Sequence, residues 1–231
     1  MATQKKSEIR KERILKAAER IFARKGFQEA TISDVAREAG VSDATIYEYF
    51  PSKEELLFSI PGETARRAKK DLEHILEHVR GAAGKIRSII YSYIWFYTNH
   101  PDYASVSMLI LKQNRKFLET KAYEDVKSLS QILLRVIEEG IAAGEFKPDT
   151  NPHLIRSAVL GTIEHMVVRS ILLGKPENLL ELVDPLTDLI LNGIENGKNQ
   201  TRWNLNITLP PEKEKEAVIE KEESPRKTKK G

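Results

Sequence analysis

The chain has 231 residues, 40% hydrophobic and 31% charged, enough apolar material for a buried core beneath a well-solvated surface. It contains no cysteine, which excludes disulfide frameworks, thiol nucleophiles and thiolate zinc sites. Net charge is +3, yet residues 1–25 hold nine Lys or Arg against three Glu, leaving the rest of the chain slightly acidic. A basic end of this kind suits a phosphate-facing surface, and equally a solvated helix face.

Residues 1–6 are polar and basic rather than apolar, and no run approaches the ~20 apolar residues of a membrane span. A cytoplasmic protein without membrane association is therefore expected. Ile9, Ile14, Leu15, Ala17, Ala18, Ile21 and Phe22 make a helical stripe over residues 7–26, with Gly26 as its C-terminal cap. Thr31 and Asp34 have the hydroxyl-then-acid spacing that opens a helix, here a short one over 32–39 that Gly40 breaks. Ser42 is a good N-cap for a third helix over 43–49, closed ahead of Pro51. Ser52-Lys53-Glu54-Glu55 starts a fourth, which Pro61 and Gly62 are expected to kink or restart before it continues to about residue 79.

Gly81 and Gly84 mark a joint, after which helices are predicted over 85–99, 101–112, 115–143, 152–173 and 177–196. Turn chemistry separates them at Asn99-His100-Pro101, over 144–152, and at Gly174-Lys175-Pro176. Strand-like alternation is almost absent, so the fold class is all-α. Residues 198–231, with Pro210-Pro211 and then charges of both signs, cannot bury enough surface to offset chain entropy and read as a disordered charged tail.

Two short helices joined at Ala39-Gly40-Val41-Ser42, behind a longer one, make a helix-turn-helix unit. Its second helix offers Ser42, Asp43, Thr45, Tyr47 and Tyr49 outward, while Ala44, Ile46 and Phe50 are small or apolar. Small side chains let a helix sit deep in the major groove, and hydroxyls reach phosphates and base edges.

The residues Arg13 to Ala18, Phe22, Gly26-Phe27, Thr31-Ile32, Val35-Ala36, Ala39 to Ser42, Thr45 to Tyr47, Tyr49-Phe50 and Ser52 to Leu56 resemble the N-terminal signature of the TetR family over about residues 9–57. The resemblance implies a three-helix DNA-binding head, residues 1–53, and an all-helical ligand-binding and dimerisation body, residues 54–197, ahead of the charged tail at 198–231. Position by position it implies phosphate contacts at Thr31, Ser42, Tyr49 and Lys53, and a groove-facing set of Ser33, Asp43, Ala44, Thr45 and Tyr47. Lys5, Lys6 and Arg10 could add arm contacts to phosphate or stand as a solvated end. Ala44 departs from the glycine common there. Asp43 could accept from a cytosine amino group or serve only to start the helix.

The family resemblance also implies a homodimer through the last two helices, 152–173 and 177–196, presenting two heads to palindromic operator DNA. Ligand-dependent release, and action as a repressor by family habit, follow from the same likeness. Residues 86–97 are rich in rings, as an ordinary core helix or as a cavity wall of Tyr93, Trp95 and Phe96 closed by Met108, Leu111, Phe117, His165 and Met166. The stretch 108–117, with Lys112 and Arg115, together with Glu138-Glu139-Gly140-Ile141 and Gly161-Thr162-Ile163-Glu164, resembles FadR-type fatty-acid regulators. That likeness implies an acyl-CoA effector, with Lys112 and Arg115 meeting its acidic groups.

His74 and His78 lie four apart on a helix and could share a metal, but Glu73 and Glu77 mark a solvated face, and no metal site is assigned. Glu164 and His165 are adjacent, so on a helix they point apart and are a weak acid/base pair. No glycine-rich phosphate loop or nucleophile elbow is present, so neither an enzyme nor a cofactor is expected.

Overall fold

Side-chain caps at Thr31, Ser42, Ser52, Thr120 and Asn151 set the starts of five helices. The computed structural model describes residues 2–196, with side chains from residue 6 onward. The expected tail and the side chain of Lys5 lie outside the described residues.

Helix α1 runs Ala2–Glu29 and is interrupted at Gly26, whose φ of 74° and ψ of 166° break the helical path three residues before its end. Helix α2, Ile32–Ala39, opens on a complete capping box. The Asp34 N–H donates to Thr31 Oγ1 at 3.1 Å, and the Thr31 N–H donates to Asp34 Oδ2 at 3.2 Å. It closes at Gly40, left-handed with φ 62°, where a side chain would be strained. Ser42 caps α3, Asp43–Tyr49, through the Thr45 N–H at 3.2 Å.

Ile32, Val35, Ala36 and Ala39 of α2 and Ile46 of α3 pack onto Ile14, Ala17, Ala18, Ile21 and Phe22 of α1. Ile46 is the buried anchor of α3, so truncating it to Ala would cost ~2–5 kcal/mol and free the recognition helix. This core does not stop at residue 53. It takes in Leu56, Leu57, Phe58 and Ile60 and, from further along the chain, Tyr103, Val106, Leu111 and Phe117.

Helix α4, Lys53–Glu77, carries Pro61 inside one continuous span, so the restart expected there does not occur. Pro61 and Gly62 are buried, and Gly62 lies where Ala122 crosses, its absent Cβ only 3.3 Å from the Ala122 Cβ. Packing onto that neighbour holds the helix across the hydrogen bond proline removes. Helix α5, Ala82–Asn99, begins three residues before the expected start. Gly81 has no side chain to cap it, and Glu145 does so from outside, accepting the Ala82 N–H at 2.7 Å.

The helix expected over 101–112 is short. Helix α6, Pro101–Ser105, widens into a π-helical turn, Val106–Leu111, with the Lys112 N–H donating five residues back to the Ser107 carbonyl at 3.2 Å. The helix expected over 115–143 is likewise divided. A 3₁₀ turn, Arg115–Glu119, precedes α7, Lys121–Ala142, and Thr120 between them caps α7 through the Tyr123 N–H at 3.2 Å.

Helix α8, Pro152–Leu173, opens on Asn151. A 3₁₀ turn, Leu179–Leu182, leads into α9, Val183–Ile194. The described residues hold no strand, only an isolated bridge of Phe146 with Glu195, so the all-α class stands. Leu72 and Leu76 of α4, Ile86, Ile89, Ile90 and Ile94 of α5, Leu133 and Ile137 of α7 and Val159, Ile163 and Val167 of α8 form the body core.

Candidate nucleic-acid interface and ligand cavity

On the head, burial of Ile46 and Phe50 turns the other side of α3 to solvent. Ser42, Asp43, Ala44 and Tyr47 are exposed, Thr45 and Tyr49 half-buried, and Thr31 and Ser33 of the α2 start are exposed beside them. All eight residues are at least partly accessible to solvent. Internal bonds hold some of them in place: Ser33 Oγ donates to Asp43 Oδ2 at 2.5 Å, joining the start of α2 to the start of α3, and Tyr49 OH lies 3.1 Å from Ser7 Oγ on α1. Asp43 therefore acts in the helix-start network. Whatever else it contacts must share it with Ser33.

Lys53 points inward. Its Nζ donates to the Phe27 carbonyl at 2.8 Å, to Ala30 at 2.9 Å and to Gln28 at 3.3 Å, and sits 4.5 Å from the centre of the Phe27 ring. Helix α1 ends at Glu29, so the carbonyls around its end have no N–H one turn further on to accept from, and the ammonium supplies a donor to three of them. Lys6 and Arg10 are exposed on α1.

Asp34 was visible in the sequence only as a cap. It is buried, yet Lys25 Nζ lies 2.8 Å from Oδ2 and Arg37 Nη2 donates to Oδ1 at 2.6 Å. The Lys25 ammonium first, then the Thr31 hydroxyl and N–H, hold its carboxyl well below the ordinary carboxylate range.

In the body, a cavity of about 480 Å³ opens among α4, α5, α7 and α8. Ala68 and Leu72 of α4, Leu129 of α7 and Leu160 and Ile163 of α8 give it apolar walls, facing Tyr93, Trp95, Phe96 and Tyr97 of α5. Burial pushes the phenols of Tyr93 and Tyr97 well above their ordinary range and that of Tyr103 up to about 12. All three hydroxyls are therefore neutral donors at any physiological pH. Lys112 and Glu164 also line the space, and their ammonium and carboxylate form an ion pair.

The sequence-derived ligand set divides. Tyr93, Trp95, Phe96 and Lys112 line this cavity. Met108 packs in the body core, and Leu111 and Phe117 in the head core, all buried. Arg115 and His165 are exposed, and Met166 backs onto the body core rather than the cavity. The walls from α4 and α7 were missed. Their signal was the run of small residues Thr64, Ala65 and Ala68, which leaves room opposite the α5 rings.

A helix-turn-helix head on a helical body with an apolar cavity is the architecture of a DNA-binding transcription regulator. Residues 14–60 match the bacterial regulatory proteins of the tetR family, and residues 67–193 match the C-terminal region of the YsiA-like proteins. The chain belongs to the TetR family of transcription regulators; its relatives are regulators and not enzymes. It is 30% identical over 183 residues to the fatty acid metabolism regulator protein of Bacillus subtilis (strain 168), covering 79% of this chain and 94% of that one. Two solved structures share the fold at TM-score 0.74. One is the regulator FadR from Bacillus subtilis in complex with stearoyl-CoA, at 29% identity over 80% of this chain and 99% of that one. The other is the fatty acid degradation regulator FadR from Bacillus halodurans, at 27% identity over 80% and 95%. No helix among the described residues is long and apolar enough to cross a membrane.

Proposed function

We propose that this chain acts in the cytoplasm as a homodimeric repressor that binds palindromic operator DNA and releases it when a long-chain acyl-CoA enters the body cavity. What carries the effector reading is the cavity of about 480 Å³, a volume within the range of small-molecule sites, whose exposed lining is mainly apolar. The stearoyl-CoA held by a relative at 29% identity supports the same ligand class. The acyl chain lies against Leu72, Leu129, Leu160 and Ile163, the neutral tyrosine hydroxyls orient its polar end, and Lys112 exchanges Glu164 for an anionic group of the ligand.

Thr31, Ser42 and Tyr49 contact phosphate, and Ser33, Asp43, Ala44, Thr45 and Tyr47 face the groove. Lys53 serves this surface by clamping the carbonyls of Phe27, Gln28 and Ala30. Pairing through α8 and α9 is supported by their surplus of exposed apolar side chains: Leu154 is 64%, Leu173 63% and Leu189 70% exposed on the single chain. Effector binding selects a body conformation in which the spacing of the two heads no longer fits the half-sites.

The test is a mobility shift on DNA upstream of the chain's own operon, with acyl-CoAs of graded length. Each buried methylene contributes about 0.8 kcal/mol, so shortening the chain by two carbons weakens release roughly 15-fold. Ala68→Trp, which fills the cavity from α4, keeps operator affinity and loses the response. A specific shift indifferent to every acyl-CoA refutes the effector assignment, and absence of a specific shift at low salt refutes operator binding at that locus.

A further inference from the structure

The last turn of α4 and His78, the residue that ends it, carry a group of side chains that neither DNA binding nor the cavity uses. His74, Glu77 and His78 are all exposed, and a ligating atom from each lies within 4.8 Å of the other two. We propose that this turn binds a divalent transition-metal cation, Zn²⁺ before others, through both imidazoles and the Glu77 carboxylate.

His74 has Glu77 three and His78 four positions further on, both neighbours of it on a helical surface; Glu77 and His78 are adjacent in sequence and flank it on either side, their ligating atoms still within 4.8 Å of each other. The two imidazole rings stand 5.1 Å apart, edge to face, and His74 Nδ1 lies 3.6 Å from Glu77 Oε2. His78 Nδ1 is 3.0 Å from the His74 carbonyl oxygen. A carbonyl only accepts, so Nδ1 carries the proton and Nε2 is left with its lone pair directed away from the backbone. Such a bond from the non-ligating nitrogen is how proteins orient a metal-binding histidine.

The surroundings favour the same conclusion. Leu72 and Leu76 anchor the turn in the body core from its other side, so the ligands stand on a fixed platform. The neighbouring Glu73 is drawn off toward α7 by Arg135, 3.6 Å away, which leaves Glu77 as the carboxylate of the group. Two imidazoles and one carboxylate are a zinc donor set with a position left for water, and nitrogen ligands select Zn²⁺, Ni²⁺ or Cu²⁺ over Mg²⁺ or Ca²⁺. The chain has five histidines and no cysteine. His100 is stacked on Phe96, while His153 and His165 stand three helical turns apart on α8, so neither arrangement competes as a pair. The site stands independently of the effector and operator assignments.

The test is calorimetric titration of the full-length chain with Zn²⁺, with Mg²⁺ as the control cation. One Zn²⁺ per chain is expected to bind at micromolar concentration, with Mg²⁺ silent, and His74→Gln or Glu77→Gln to weaken it at least about tenfold. Both side chains are exposed, and unchanged circular dichroism confirms that the variants fold. Cu²⁺ bound to the parent chain gives a second readout, an electron paramagnetic resonance spectrum with coupling to two nitrogens. Absence of saturable Zn²⁺ binding up to about 1 mM, affinity undiminished in His74→Gln, or a Cu²⁺ spectrum without nitrogen coupling overturns the site.

Discussion

Replacing Gly140 by alanine sets two effects of opposite sign against each other inside α7. Helix propensity favours the change, since glycine in a helix interior is worse than alanine by about 1 kcal/mol. Packing opposes it. A Cβ at Gly140 would stand 2.3 Å and 2.4 Å from two ring carbons of Phe146 and 2.7 Å from the Ala82 Cβ. Phe146 has no space to retreat: it is 1% exposed, its N–H donates to the Gly140 carbonyl at 3.1 Å, and the next residue is hydrogen-bonded to Ile194. Overpacking a tight core costs about 1–3 kcal/mol, and clashes on two sides put this site at the upper end. The net expectation for Gly140→Ala is a loss of roughly 2 kcal/mol, or about 4–8 °C in Tm for a chain of this size. Urea unfolding at fixed protein concentration measures it, because the proposed dimerisation would make stability depend on concentration. Adding Phe146→Leu removes the ring atoms and recovers part of the loss, with a coupling of about 1 kcal/mol or more between the two positions. A Gly140→Ala variant as stable as the parent would show that propensity decides here, and that α5, α7 and the 144–147 segment do not meet as described.

Asp34 gives a pH signature. Its carboxyl is depressed below the ordinary value of 3.8, so its contribution is present above that pH and lost as acid protonates it. Asp34→Asn should therefore be less stable than the parent at neutral pH, with the difference shrinking below pH 3.8; a constant difference across the acid limb would contradict the pairing with Lys25 and Arg37. Lys53→Met removes the donor from three carbonyls while keeping the stem on Phe27, and should cost about 1–2 kcal/mol. Because the ammonium is turned inward, the salt slope of operator binding should stay unchanged; a slope reduced by about one would mean Lys53 does reach a phosphate. Leu189→Glu puts a charge on the exposed apolar side of α9 and should abolish the proposed pairing, giving a monomer in sedimentation, with operator affinity falling alongside. A variant that remained dimeric would move the interface elsewhere.

The helix-turn-helix was legible in the sequence because it is built from local chemistry. Thr31 with Asp34, Gly40 and Ser42 set the ends of α2 and α3 within a few residues of one another, and each cap does in the structure what its residue type requires. Local signals also led astray where a cap sat inside an unbroken apolar pattern. Thr120 divides the segment 115–143, and the π-turn at Val106–Leu111 interrupts 101–112, although periodicity runs through both.

The ring-rich side of α5 was visible as a wall of something, but not what it faced. A helix can turn a stripe toward a neighbour, a cavity or solvent, and only the crossing of α4, α7 and α8 over α5 decides which. That crossing brings Ala68, Leu129 and Leu160 to the cavity and sends Met108 and Leu111 into two separate cores. The direction of Lys53 was likewise undetermined by its position in the family motif. It follows from the end of α1 at Glu29, which leaves three carbonyls in reach of one flexible ammonium, a relation between residues 23 to 26 positions apart that no local pattern encodes.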